Sequence, residues 1–158
     1  MPPSEVTRSA ASESARVTTA AQSRYRITAP NSRPRVVAIV ALDAPSDGIV
    51  AELAPLPWGN ARFFGSRDVG TAEFADAIAD ADLVVMIVTA GADARAATTI
   101  GPSCRTLRVS TMVVMLAGPG VAQPALAATL AQLRPHAGML VTTSSADYVA
   151  DMLAALRA

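Results

Sequence analysis

The stretch ADLVVMIVTAGADARAATTIGP, residues 81–102, decides the fold. Its first half, Leu83–Thr89, is an unbroken apolar run of strand length, rich in Val and Ile. A strand that is apolar on both faces belongs in the middle of a parallel sheet covered by helices on each side. The turn after it, at Ala90–Gly91, leads into an Ala- and Thr-rich segment with helical character. A strand, a tight turn and a helix in that order form the junction that holds a phosphate in many nucleotide-binding folds. In those folds the loop is rich in glycine. Here Gly91 is followed by Ala92, Asp93, Ala94, Arg95, Ala96 and Ala97.

The same alternation extends outward from this core. Arg35–Leu42 (RVVAIVAL) reads as a buried strand. A helix is expected from Ser46 to about Leu53, with Ser46 as its cap and Asp47 in its first turn. PLPWGN, residues 55–60, ends it. Ala61–Phe64 reads as a short strand, and Thr71–Ala81 as a helix capped by Thr71 with Phe74 and Ile78 on its apolar side. Ala94–Leu107 is expected to be helical but distorted near Gly101–Pro102, or to begin only there. Thr111–Leu116 and Met139–Thr143 are the remaining strands, and Pro124–Leu133 and Ala146–Leu156 the remaining helices. Right-handed crossovers then give an α/β three-layer sandwich with a mostly parallel, Rossmann-like sheet of about five strands over residues 35–158.

Residues 1–34 differ in kind. They are rich in Ser, Thr, Ala and Pro, with Arg8, Arg16, Arg24, Arg26 and Arg33 against only Glu5 and Glu13. Without apolar periodicity they are expected to form a disordered tail, with a short strand around Tyr25–Thr28 as an option. An Arg- and Ser-rich, acid-poor start also suits an organelle transit peptide; it lacks the apolar stretch of a secretory signal.

Composition narrows the chemistry. The 158 residues carry thirteen basic and thirteen acidic side chains, so no net charge points to nucleic acid or a membrane surface. Every basic residue is Arg, which removes lysine Schiff bases and the P-loop lysine. Cys104 is the only cysteine, so neither an internal disulfide nor a cysteine-based zinc cluster can form. The apolar runs fall well short of the roughly 20 residues a membrane helix needs. A cytoplasmic protein with no metal and no resident cofactor is expected, beyond a vestigial or weak nucleotide.

Candidate ligand-binding residues lie at the carboxyl ends of the strands: Asp43 and Asp47 after the first, and Thr89, Gly91, Arg95, Thr98 and Thr99 after the third. Asp43 and Asp47 could hold a cation or a ribose hydroxyl, or simply form a turn and cap a helix. Asp93 stands where a phosphate would sit and repels it, although Arg95 could offset that charge. Ser144, Ser145 and Asp147 follow the last strand, where Ser145 or Asp147 serves as an N-cap. GPGVAQP, residues 118–124, has the form of an anion-binding turn before a helix. Trp58, in its Pro-flanked loop, is a candidate contact residue or a core filler. His136 ends a helix and Cys104 packs as a small apolar residue. No residue is assigned a catalytic role.

EFADAIADADLVVMIVTAG, residues 73–91, resembles the tubulin/FtsZ GTPase family, in which a helix ends in an Ala-Asp step before an apolar strand and T-A-G. Counted forward without a gap, Thr98 falls on the second threonine of the family's G-G-G-T-G-T-G loop, and Gly101–Pro102 on its alanine–proline step. LAATLAQLRPHAGMLVTTSSADYVADML, residues 126–153, is similar to the family segment in which a helix leads to a strand and an Asn-Asp pair. The likeness covers residues 70–153; ADLVVMIVTAG also suits the strand of a lactate or malate dehydrogenase. The family's loop glycines fall on Asp93, Ala94, Arg95 and Ala97, and its first glycine-rich loop has become ALDAPSDG, residues 41–48. Close approach of backbone to phosphate and positive φ both call for glycine. The family's catalytic acidic loop has no counterpart either. The resemblance therefore implies a degenerate nucleotide-binding frame that does not hydrolyse GTP. Such a frame would serve as an accessory or protein-interaction module, with a protein partner or self-association. The alternatives are a binder of a small molecule, foremost GTP or a dinucleotide, and a non-catalytic subunit of an enzyme complex.

Overall fold

Five parallel strands build one sheet in the order β2-β1-β3-β4-β5. They are β1 (Val37–Ala41), β2 (Ala61–Phe64), β3 (Leu83–Thr89), β4 (Ser110–Leu116) and β5 (Met139–Thr143). The computed structural model describes residues 34–158, which form one compact unit. The tail over residues 1–34, the strand at Tyr25–Thr28 and the transit-peptide reading lie outside the described residues, save Pro34 itself. Five helices connect and cover the sheet: α1 (Ala44–Leu53), α2 (Ala72–Asp80), α3 (Ala97–Leu107), α4 (Gln123–Leu133) and α5 (Asp147–Ala155).

The twofold period of a strand sends alternate side chains to opposite faces. Ala38, Val40, Val84, Met86, Val88, Val113 and Met115 point to a layer of Phe74 and Ile78 from α2, Ile100 and Cys104 from α3, and Leu133 from α4. Val37, Ile39, Val85, Ile87, Met112 and Val114 point to Val50 and Leu53 of α1 and Val149, Met152 and Leu153 of α5. The molecule is thus the expected three-layer sandwich, with an entirely parallel sheet. Each such buried aliphatic side chain contributes about 1.5–3 kcal/mol, which is why β1, β3 and β4, apolar on both faces, hold the three inner positions.

Two helix starts differ from the sequence expectation. Asp43, not Ser46, caps α1: its carboxylate accepts the Ser46 N–H at 2.8 Å, and Pro45 occupies the first turn where its missing N–H costs nothing. Helix α3 starts at Ala97 and runs straight through Pro102. An internal proline costs about 3 kcal/mol. Here it sits exposed on the outer side, while Ile100, Gly101 and Cys104 around it are buried against the sheet, and that packing outweighs the lost bond. Thr71 caps α2 as expected, accepting from the Phe74 N–H at 3.3 Å. Helix α5 has Ala146 at its cap position with no side-chain cap bond; Ser145 instead accepts the Asp147 N–H at 3.2 Å. Trp58 is half-buried: its indole N–H donates to the Leu53 carbonyl at 2.8 Å and its ring leans on Phe63.

Candidate functional site: a strand-order switch point closed by its own side chains

The chain runs from β1 outward to β2, then returns to the other side of β1 as β3. In open α/β sheets the ligand crevice forms where the order reverses, beyond the carboxyl ends of the two strands concerned. Here those ends belong to β1 and β3. The residue after each is fixed by strand pairing, with Ala41 beside Ile87.

Asp43 spans this point. Its Oδ2 accepts the Thr89 N–H at 2.6 Å, and its Oδ1 accepts the Thr89 hydroxyl at 3.3 Å as well as the Ser46 N–H. One carboxylate therefore ties the end of β3 to the first turn of α1. The positive end of α1, which would attract a phosphate, already holds an anion supplied by the chain. Asp47 turns elsewhere. Its two oxygens accept the Ser66 N–H at 2.6 Å and the Ser66 hydroxyl at 2.7 Å, fastening α1 to the connection between β2 and α2. Asp68 closes that connection by accepting the Gly65 N–H at 2.7 Å.

The loop from β3 to α3 is closed by a second route. Gly91 adopts φ +88°, the one positive value in the loop, and donates its N–H to the Thr129 hydroxyl at 3.1 Å. The buried Thr129 hydroxyl in turn lies 2.9 Å from the Ala92 carbonyl, to which it donates. Ala94 donates its N–H to the Gln132 side-chain oxygen at 2.6 Å. Arg95 donates its N–H to Asp93 at 3.0 Å, and the Arg95 guanidinium pairs with the same carboxylate at 2.7 Å. The N–H groups of Ala92, Ala97, Thr98 and Thr99 bond to carbonyls within the loop and the first turn. The amides of Gly91, Ala92, Ala94, Arg95, Ala97, Thr98 and Thr99 are thus turned toward oxygens of the protein. No residue between Asp93 and Ala97 has the left-handed backbone that the glycines of a phosphate loop supply.

The candidate residues are only partly assembled. Asp43, Thr89 and Gly91 meet at the switch point. Asp47 serves Ser66, Arg95 is bound to Asp93 in solvent, and the Thr98 hydroxyl donates to the Arg95 carbonyl at 2.6 Å. Thr99 faces away, lining an apolar groove of about 200 Å³ between α2 and α3 with Phe74, Ser103 and Leu107. Arg95 holds the Asp93 carboxyl below its ordinary range, first through the side-chain hydrogen bond, and Asp93 raises the Arg95 guanidinium in return. The pair is exposed, so solvent screens it. Thr129 and Gln132 were not among the sequence candidates. Their signal is present nonetheless: they are the hydrogen-bonding side chains, three residues apart, on an α4 built otherwise of Ala, Leu and Pro after Gln123.

Two further residues resolve as structural. Burial pushes the Cys104 thiol up to about 11, so it stays protonated and unreactive near neutral pH. His136, in the short 3-10 turn Arg134–His136, packs its ring onto the backbone of Gly101. A Cβ at position 101 would collide with the imidazole Nδ1 and stand 2.7 Å from Cγ of His136, which explains a glycine in the middle of α3. Among the described residues, no group of three or more His, Cys, Asp or Glu side chains could hold a metal ion, and no helix is long and apolar enough to cross a membrane. Compared with known proteins, the chain matches no family model, no curated protein and no solved structure.

Proposed function

We propose that this α/β domain is a non-catalytic accessory or interaction module, built on a nucleotide-binding frame whose phosphate grip has been filled from within. The frame's likeness to the tubulin/FtsZ family over residues 70–153 belongs to the same reading, and so does its work through a protein partner or self-association. One observation carries it. The N–H groups of Thr89, Gly91, Ala94 and Arg95 are already bound by Asp43, Thr129, Gln132 and Asp93. A phosphate entering there would have to displace these bonds and face two carboxylates, Asp43 and Asp93. Breaking a hydrogen bond sheltered from water and leaving its partner unsatisfied costs about 1–3 kcal/mol; the Thr89, Gly91 and Ala94 bonds are part-buried, so each opposes a phosphate.

Thermal unfolding with GTP, GDP, ATP and NAD, each with magnesium, tests the reading. A ligand at a hundred times its dissociation constant stabilises by about 2.7 kcal/mol. The wild-type chain is expected to show no saturable shift with any of them at millimolar concentration. A saturable shift with one of them refutes the reading and makes the chain a nucleotide binder. Asp93→Gly probes the origin of the loop: nucleotide affinity gained by the variant alone marks the site as vestigial.

A further inference from the structure

The strands begin at the end of the molecule opposite the switch point. There, on the α5 side of the sheet, a bay of about 430 Å³ opens beside Leu156, the residue that follows α5; its volume is that of a small-molecule site. Its apolar lining comes from Leu83 and Met112 of the sheet, Met139 at the start of β5, and Leu156. Leu83, Met112 and Leu156 belong to the core layer on that side, and Met139 pairs with Met112, so it faces the same way. Met139 is 56% exposed, a large apolar side chain open to water. Arg35 and Ser110 add polar groups to the lining. Each stands two residues before a core residue of that face, Arg35 before Val37 and Ser110 before Met112, so the twofold period of extended chain sends both to the α5 side. Among the described residues, neither side chain has a hydrogen-bond or ion-pair partner. The neighbouring Thr111 is engaged: its hydroxyl oxygen accepts the Gly138 N–H at 2.9 Å.

We propose that this bay binds a small monocarboxylate with an apolar body. Its carboxylate is held by Arg35 and Ser110, and its body lies on Leu83, Met112, Met139 and Leu156. The planar guanidinium fork matches a carboxylate with two parallel hydrogen bonds, and the hydroxyl supplies one more. One guanidinium balances one negative charge, which a carboxylate carries and a phosphate monoester near neutral pH exceeds. The charges around the bay favour an anion as well. The charged chain neighbours of its lining residues are Arg108, Arg157 and Asp82. With Arg35 they set three cations against one carboxylate, and the Asp82 carboxylate is engaged by the Val36 N–H at 3.0 Å. Asp147 and Asp151 of α5 do not line the bay: Asp147 opens the helix at its far end, and Asp151 is exposed, whereas Val149, Met152 and Leu153 face the sheet. Carbonyls that end α5 are also taken, since the amides of Leu156, Arg157 and Ala158 donate to Met152, Ala154 and Leu153; this mutes the negative pole of the helix. The inference goes beyond the reading of the switch point, which lies at the other end of the strands.

Hexanoate is the probe, with 1-hexanol and hexyl phosphate as its neutral and more highly charged counterparts. Each is titrated into the full chain labelled at its methionine methyls and followed by NMR. Hexanoate is expected to shift the Met112 and Met139 methyls saturably and to leave Met86, in the layer on the other face of the sheet, unmoved. Arg35→Gln removes the cation from an exposed position and should weaken hexanoate binding at least about tenfold, or about 1.4 kcal/mol. Exchanging hexanoate for 1-hexanol should weaken binding as much. Arg134→Gln, at an exposed arginine outside the bay, is the control and should change nothing. The inference is overturned if Met139 shows no saturable shift up to tens of millimolar hexanoate, a concentration that fills even a weak site. It is equally overturned if 1-hexanol binds as well as hexanoate, or if hexyl phosphate binds more tightly. An Arg35→Gln chain that circular dichroism shows to be folded and that binds hexanoate like the wild type also overturns it, as does an equal loss in Arg134→Gln.

Discussion

The β1–α1 and β3–α3 junctions sit side by side at the switch point, and each is closed, but by opposite means. At β1–α1 a single residue does it: Asp43 caps its own helix three residues on and reaches Thr89 across the sheet. At β3–α3 the loop supplies the exposed Asp93–Arg95 pair and its own carbonyls, and the part-buried side-chain bonds come from Thr129 and Gln132 on α4. The first closure is a single anion; the second combines local bonds with two neutral oxygens brought from α4. A junction capped by an anion of its own repels a phosphate by charge. The second junction withholds its Gly91 and Ala94 amides, which neutral oxygens already hold, and adds the exposed Asp93 carboxylate on the Arg95 amide.

Breaking the anionic closure should have the largest effect. Asp43→Ala removes the helix cap, worth about 1 kcal/mol, and two further bonds to a charged acceptor, so urea denaturation should register a loss of about 3 kcal/mol in all. A loss no larger than that of the cap would mean that the bridge to Thr89 contributes nothing. Thr129→Val comes next. It keeps the volume, leaves the Gly91 N–H without its partner and should cost about 2 kcal/mol; amide exchange at Gly91 should rise with it. Exchange at Gly91 that matches the wild type would sink the account of that loop. The smallest effect belongs to Asp93. Its carboxyl titrates below the ordinary value of 3.8, so the stability it adds is present above that value and is lost as pH falls through the lower folded-state value. The pair is exposed, so Asp93→Ala should leave the denaturation midpoint at neutral pH within error while speeding exchange of the Arg95 amide. A clear drop in that midpoint would show that the exposed pair, rather than Thr129 and Gln132, holds the loop.

Much of the frame was legible because it rests on short-range pattern. β3 is recognisable from Leu83–Thr89 alone, and the Thr71 cap of α2 from one hydroxyl before an apolar helix. The misreadings share a cause. Ser46 looked like the cap of α1 because serine favours that place, but Asp43 precedes Pro45, which already suits the first turn. Pro102 looked like a boundary because propensity says so, yet buried Ile100 and Cys104 on the same helix hold it in line. Of the two roles open to Trp58, contact residue or core filler, the half-buried ring packed against the core fits the second, with its indole on the Leu53 carbonyl.

By itself the sequence determined the alternation of strands and helices, the burial of the central strands and the lack of a glycine-rich phosphate loop. These follow from periodicity and residue type within a few positions along the chain. Only the tertiary structure decided which strand lies beside which, and so which groups meet. Asp43 and Thr89 are 46 residues apart, and Gly91 and Thr129 are 38 apart. Hydrogen bonds over such separations exist only once the order β2-β1-β3-β4-β5 has brought the strand ends together. No local preference encodes that order; it is fixed by the burial of both faces of the sheet and the handedness of the crossovers.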